Sequence, residues 1–204
     1  MDARPPLVAM DLEGVLVPEV WINVAERTGI PDLRRTTRDE PDYDKLMRYR
    51  LGILDRHGLN LADIQAAIGT MEPLPGGRAF VDWVRQQCPF IILSDTFEQF
   101  AGPLMAKLGW PTLFCNRLEV EPSGRISGWR LRQRDGKRKA IEGLHGLDYR
   151  IIAFGDSYND TSMLGAADCG VLFRPSAAVV KDFPQFPVIH DHAAMRAAIA
   201  DFLK

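Results

Sequence analysis

Leu7-Val8-Ala9-Met10-Asp11-Leu12-Glu13-Gly14-Val15 decides the reading of this chain. Four apolar residues lead to Asp11, and Glu13 and Gly14 follow at once. A short apolar run bounded by turn signals reads as a buried strand. In an open α/β sheet the carboxyl end of such a strand is where ligands bind, so two carboxylates are expected at a site. Like charges that close together cost stability unless a cation or a proton compensates. On this stretch alone, a solvated acidic turn after a strand explains the residues equally well.

The pattern repeats further along. Phe90-Ile91-Ile92-Leu93 stops at Ser94-Asp95-Thr96, and Arg150-Ile151-Ile152-Ala153-Phe154 runs into Gly155-Asp156-Ser157-Tyr158-Asn159-Asp160. Thr112 to Cys115 and Gly170 to Phe173 are further short strands, and Phe186 to Ile189 reads as an edge strand because it contains Pro187. Alternation from Arg117 to Leu131 around Pro122-Ser123-Gly124 predicts a β-hairpin. Helical spacing is expected over 78–87, 97–108, the basic stretch from Arg130 to about Leu147, 161–167, 175–181 and 191–203, with Pro103 tolerated only near a helix start. Strands alternating with helices give a doubly wound, Rossmann-like α/β fold with a largely parallel sheet. Residues 18–72 break the alternation: they read as helices near 20–28, 45–54 and 61–71, with a polar, turn-rich stretch from Pro31 to Asp44 and no strand. The expected organisation is a core of residues 1–17 and 73–204 with a small helical cap, 18–72, inserted after the first strand.

Composition bounds the function. The chain has 204 residues, 46% hydrophobic and 25% charged, with a formal net charge of −2. This is ordinary globular composition, with no electrostatic argument for nucleic acid or a membrane surface as partner. Met1-Asp2-Ala3-Arg4-Pro5-Pro6 lacks the apolar core of a signal peptide, and no apolar run reaches the roughly 20 residues of a membrane span. Cys88, Cys115 and Cys169 are odd in number and widely spaced, as buried free thiols of a reducing cytoplasm would be. A cytoplasmic protein is expected. His190-Asp191-His192 resembles a metal pair but sits near the last helix, so surface or capping roles are expected.

Three strand ends carrying acids, short hydroxyls and an amide converge on one sheet edge, a donor set suited to Mg²⁺ and phosphate. Neither nucleotide-binding glycine fingerprint is present. These three segments, with Lys137 between the second and third, resemble the four motifs of the haloacid dehalogenase-like superfamily, over roughly Val8 to Phe173. Within it the chain resembles the phosphoserine phosphatases, and among these the bifunctional phosphoserine phosphatase/homoserine phosphotransferases. The pattern resting on Asp11-Leu12-Glu13-Gly14-Val15-Leu16-Val17-Pro18-Glu19, Ile92 to Phe97 and Gly155 to Asp160 carries that resemblance.

The resemblance implies an Mg²⁺-dependent enzyme that forms an aspartyl-phosphate. Asp11 corresponds to the nucleophile and Glu13 to the general acid/base, where the superfamily usually has Asp. Asp156 corresponds to the metal ligand, with Asp11 and the main-chain carbonyl of Glu13; Asp160 stands behind it or touches the metal. Ser94 with the backbone at Asp95, Lys137 and Asn159 correspond to phosphate contacts. Arg134, Arg138 and Lys139 are rivals for the lysine, and helix capping is the plain alternative for Ser94 and Asn159. Glu19 corresponds to the grip on the substrate's ammonium and Arg50 to the grip on its carboxylate. The implied partners are O-phosphoserine and homoserine; oligomeric state is left open, a homodimer included. Another small phosphate monoester is the enzymatic alternative. A phospho-accepting receiver-like module is the non-enzymatic one, which Glu13 and the cap disfavour.

Overall fold

The computed structural model describes residues 4–204 except Arg38 and Pro41; the start of the amino-terminal stretch and two positions of the turn-rich 31–44 stretch therefore lie outside the described residues. Seven strands form one sheet in the order β4-β3-β2-β1-β5-β6-β7. They are β1 (Pro6–Met10), β2 (Phe90–Phe97), β3 (Thr112–Val120), β4 (Ile126–Arg130), β5 (Arg150–Gly155), β6 (Cys169–Phe173) and β7 (Val188–Ile189). Every pairing is parallel except β3 with β4, the expected hairpin.

Side-chain alternation explains why β1, β2 and β5 read as unbroken apolar runs. Val8, Met10, Phe90, Ile92, Ile152 and Phe154 enter one hydrophobic core. Leu7, Ala9, Ile91, Leu93, Ile151 and Ala153 enter the other. Both faces of the central strands are covered, so neither parity is polar. The covering helices are α4 (Gly77–Gln87), α5 (Glu98–Leu108), α6 (Gly136–His145), α7 (Thr161–Ala166), α8 (Ala177–Asp182) and α9 (His192–Phe202).

Between β1 and α4 the chain forms α1 (Val20–Thr28), a 3₁₀ turn at Pro31–Arg34, α2 (Tyr43–His57) and α3 (Leu61–Gly69). Gly29 and Gly58 end α1 and α2 in left-handed conformation, and Asn60 opens α3 with a reciprocal capping box to Asp63. No strand occurs among the described residues of this segment. Its apolar face, with Trp21, Leu33, Met47, Ile53 and Ile68, continues the larger of the two cores. No helix of the described residues is long and apolar enough to cross a membrane.

Several expectations are corrected. β2 does not stop at Ser94 but runs to Phe97, re-registered so that Phe97 pairs with Asn116. Ser94-Asp95-Thr96 therefore caps no helix, and α5 opens at Glu98 without a side-chain cap. The basic stretch yields a helix only from Gly136, because Leu118 pairs with Trp129 and Arg117 with Arg130 in the hairpin. The three cysteines are free, as expected, but only half-buried.

Pro103 lies well inside α5 rather than near its start. A helical proline deprives the carbonyl four residues earlier of its N–H donor. That carbonyl belongs to Gln99, and Gln65 Nε2 donates to it at 2.7 Å from α3. Gln65→Leu is expected to cost about 1 kcal/mol, the lower end of the penalty for an unmet acceptor because this one is only part-buried, readable as a lower thermal midpoint. An unchanged midpoint would mean that the Gln99 carbonyl finds water instead.

His192 is also corrected. It is not at the surface but 7% exposed, stacked between Phe80 and Phe173 with ring centroids 5.3 Å from each. Its Nε2 lies 3.0 Å from the Val15 carbonyl and its Nδ1 3.3 Å from that of Pro75. Leu74 N also donates to the Leu16 carbonyl at 2.8 Å. The outgoing and returning crossings between sheet and helical segment are thus fastened to each other and to α9.

Candidate active site

β1, β2 and β5 are neighbours in the sheet, and the residues at their carboxyl ends meet. Asp11, directly after β1, is buried; Leu12 N donates to its Oδ1 at 2.7 Å. Lys137, on the first turn of α6, is 4% exposed. Its Nζ lies 2.7 Å from Asp160 Oδ1, 2.9 Å from Asp11 Oδ2 and 3.7 Å from Asp95 Oδ2. Of the four basic candidates near this position, Lys137 is the buried one, while the charges of Arg138 and Lys139 are spent on Asp135 and Glu142 at the surface.

Asp160 is fully buried and well supplied: besides Lys137, it accepts from Asp156 N at 2.9 Å and Ser157 N at 3.1 Å through Oδ2. It shapes the loop that carries Asp156. Carboxylate oxygens of Asp11, Asp156 and Asp160 lie within 4.8 Å of one another. Gly14, at φ 75°, lets the loop pass so close that a Cβ there would sit 2.7 Å from Asp156 Cγ.

The acid cluster is short of positive charge. Burial, opposed by Lys137 and reinforced by Asp160 and Asp156, holds the Asp11 carboxyl well above the ordinary range. Burial, with Asp160 and Glu19 nearby, pushes Asp156 to about 7. Burial pulls the Lys137 ammonium down, but Asp11, Asp160 and Asp95 outweigh it and hold it well above its usual value. One ammonium does not balance these carboxylates, and a hard divalent cation held by oxygen donors would supply the missing positive charge. The donor set fits such an ion.

The Glu13 carboxyl lines the same cavity as Asp11 and Asp156 but is not one of the three clustered carboxylates. Its Oε2 accepts from Val20 N at 2.9 Å and so caps α1, whose own N-cap residue, Glu19, makes no side-chain capping bond. Burial and the neighbouring Glu19 push its carboxyl to about 7, against the pull of the Val20 N–H, Arg50 and Lys137. Arg50 is buried, packed over the Trp21 ring at 4.5 Å, with Nη2 donating to the Arg35 carbonyl at 2.9 Å. Burial brings its pKa down to about 10 although Tyr43, Glu13 and Glu19 raise it. Its Nε is a buried donor with no hydrogen-bond partner among the described residues.

Ser94 is buried and accepts from Thr96 N at 3.2 Å. Asn159 is not a cap: Ser157 takes that place, and Asn159 joins Ser157 Oγ at 2.5 Å to Asp95 Oδ2 at 2.9 Å. A cavity of about 90 Å³ is lined by Asp11, Glu13, Glu19, Arg50, Ser94, Asp95, Lys137, Asp156 and Asn159 together. All but one of the residues singled out in the sequence therefore share one pocket; Asp160 lies beneath it.

The sequence reading missed Trp21, Thr96 and Tyr43, which line the same cavity. The Tyr43 hydroxyl donates to the Asp95 carbonyl at 3.3 Å, joining α2 to the end of β2. A signal existed for Tyr43: Asp42 before it accepts from Lys45 N, marking the helix start. No signal in sequence distinguishes Thr96, whose Oγ1 is buried without a hydrogen-bond partner among the described residues.

Comparison with known proteins agrees with this geometry. Residues 8–165 match the model of the haloacid dehalogenase-like hydrolases. The chain belongs to that family. It is 57% identical to a phosphoserine phosphatase of Pseudomonas syringae pv. tomato over 184 residues, covering 90% of this chain and 78% of the relative. It is 52% identical to phosphoserine phosphatase ThrH of Pseudomonas aeruginosa over 198 residues, covering 97% and 95%. A substrate-bound phosphoserine phosphatase complex superposes with a TM-score of 0.78 at 18% identity, covering 98% of this chain and 99% of the other, a likeness of fold.

Proposed function

We propose that this hydrolase is a phosphoserine phosphatase that works through an aspartyl-phosphate on Asp11 and can also pass the phosphoryl group to homoserine. One observation carries the reading: a single small cavity is lined by Asp11 and Lys137 and also by Glu19 and Arg50. The first pair suits a phosphoryl group. The second suits the ammonium and carboxylate of an amino acid, and a buried guanidinium with an unmet donor calls for an anionic partner.

In this reading Asp11 attacks phosphorus and the bond to the serine oxygen breaks, while protonated Glu13 delivers its proton to that oxygen. Glu13, now ionised, takes a proton from water or from the homoserine hydroxyl, whose oxygen displaces Asp11 from phosphorus. Ser94, the backbone at Asp95, Lys137 and Asn159 hold the phosphoryl oxygens. Asp11, Asp156 and the Glu13 carbonyl would hold Mg²⁺, with Asp160 behind them, and the ion would neutralise charge on the transferring group. Residues 18–72 act as the cap that brings Glu19 and Arg50 over the core. A cytoplasmic enzyme of small metabolites goes with this assignment.

Serine and homoserine differ by one methylene, which a pocket discriminates by only about 1–3 kcal/mol. Dual use of acceptors is therefore physically reasonable. The test supplies O-phosphoserine and Mg²⁺ with and without homoserine and quantifies inorganic phosphate and phosphohomoserine. Phosphate in both arms and phosphohomoserine in the second are expected. Absence of both products would overturn the substrate, and absence of phosphohomoserine alone would remove the transfer activity.

A further inference from the structure

Lys137 and Asn159 approach one another across an acid that the mechanism does not use. The Asp95 carboxylate accepts from Asn159 Nδ2 at 2.9 Å and lies 3.7 Å from Lys137 Nζ, through the same Oδ2. Its side chain is 44% exposed and borders both the inner cavity and an adjoining outer one of about 440 Å³. An anion therefore already sits between the two side chains assigned to the phosphoryl oxygens. Its main chain is fixed independently, because Tyr43 Oη and Asn116 Nδ2 both donate to its carbonyl at 3.3 Å. The carboxylate can leave while the backbone stays.

We propose that Asp95 is a specificity-determining residue that occupies the phosphate position with its own carboxylate and so discriminates against bare inorganic phosphate in favour of an ester anchored elsewhere in the pocket. This rests on the reading above, in which Lys137 and Asn159 hold the phosphoryl group and Glu19 and Arg50 hold the amino-acid end. A substrate gripped at that end displaces Asp95 with binding energy that free phosphate lacks. Free phosphate, the product of hydrolysis, meets the competing carboxylate with nothing to offset it and is released. A like charge competing for the same two donors, screened at a half-exposed group, weakens phosphate binding by about tenfold.

The experiment titrates the Mg²⁺-loaded protein with inorganic phosphate by calorimetry and measures phosphate inhibition of O-phosphoserine turnover. Asp95→Asn keeps the shape and can still accept from Asn159, so it removes charge without removing the positioning bond. It is expected to bind phosphate about tenfold tighter, with a smaller drop in KM for phosphoserine. Asp95→Glu, which keeps the charge, is expected to stay nearer the wild type. Should Asp95→Asn fail to fold, Asp95→Ser carries the same expectation. Lys137→Ala separates the two layers. If it loses phosphate binding while Asp95→Asn leaves that binding unchanged or weaker, the role of Asp95 is overturned and the site stands. If Lys137→Ala binds phosphate as the wild type does, the reading of the site falls and this role falls with it.

Discussion

Asp11→Asn is expected to lower kcat for O-phosphoserine by about 10⁴-fold or more, with no phosphoryl-protein trapped on acid quench, while the thermal midpoint does not fall. The loss is large because an amide cannot form the acyl-phosphate, and removing a nucleophile leaves only what the rest of the site contributes. The fold should tolerate the change. Asparagine keeps the oxygen that accepts from Leu12 N, and Lys137 keeps its 2.7 Å partner Asp160. The variant also removes a carboxyl that burial and its neighbours Asp160 and Asp156 hold well above the ordinary range. The same electrostatics explain what the site must overcome. Unit charges 4 Å apart repel by about 4 kcal/mol at an effective dielectric of 20, so a carboxylate facing a phosphate dianion meets about 8 kcal/mol before any bond forms. Lys137, 2.9 Å from Asp11, supplies one of the positive charges required. Activity within tenfold of the wild type would remove Asp11 from the role of nucleophile.

Residues at the strand ends were readable because the sequence writes them in a simple code. Apolar runs covered on both faces stop at an acid, and parallel strands bring those stops to one edge. The helical segment was equally plain, since its apolar spacing changes period and its ends carry Gly29, Gly58 and Asn60. What escaped depends on partners distant in sequence. Pro103 sits inside a helix because Gln65 reaches the Gln99 carbonyl that the proline leaves without a donor, and nothing near Pro103 announces that. His192 looked polar and terminal, yet Phe80 and Phe173 enclose it from α4 and β6. β2 outran its apolar stretch because Asn116 on β3 offers a new register beyond Leu93. The side chain of Asp95 was invisible for the same reason. Its meaning lies in where Lys137 and Asn159 place their nitrogens, not in the neighbouring letters.

Glu13→Gln is expected to reduce kcat by about 10²–10⁴-fold, the usual contribution of a positioned acid/base, while leaving Mg²⁺ affinity within about twofold. The split follows from geometry. The Glu13 carboxyl bonds Val20 N, outside the group of Asp11, Asp156 and Asp160. A carboxyl one methylene shorter on the same backbone would reach about 1.5 Å less far toward that N–H, so the glutamate ties the acid/base to the start of α1. Equal losses of turnover and cation affinity would contradict the assignment. The pH dependence supplies an independent check. With its carboxyl at about 7, Glu13 can protonate the leaving oxygen only below that value and accept a proton only above it, so wild-type turnover should peak near neutrality. The stability sign runs the other way from a salt-bridged acid. The folded value exceeds the ordinary 4.5, so the folded state binds the proton more tightly and ionisation destabilises it. That penalty is absent below about 4.5, grows as pH rises, and is complete above about 7. Glutamine carries no such penalty and can still accept from Val20 N. The metal-free variant should therefore melt above the wild type at pH 8 and together with it at pH 4.5, a difference that thermal scans at the two values would read directly.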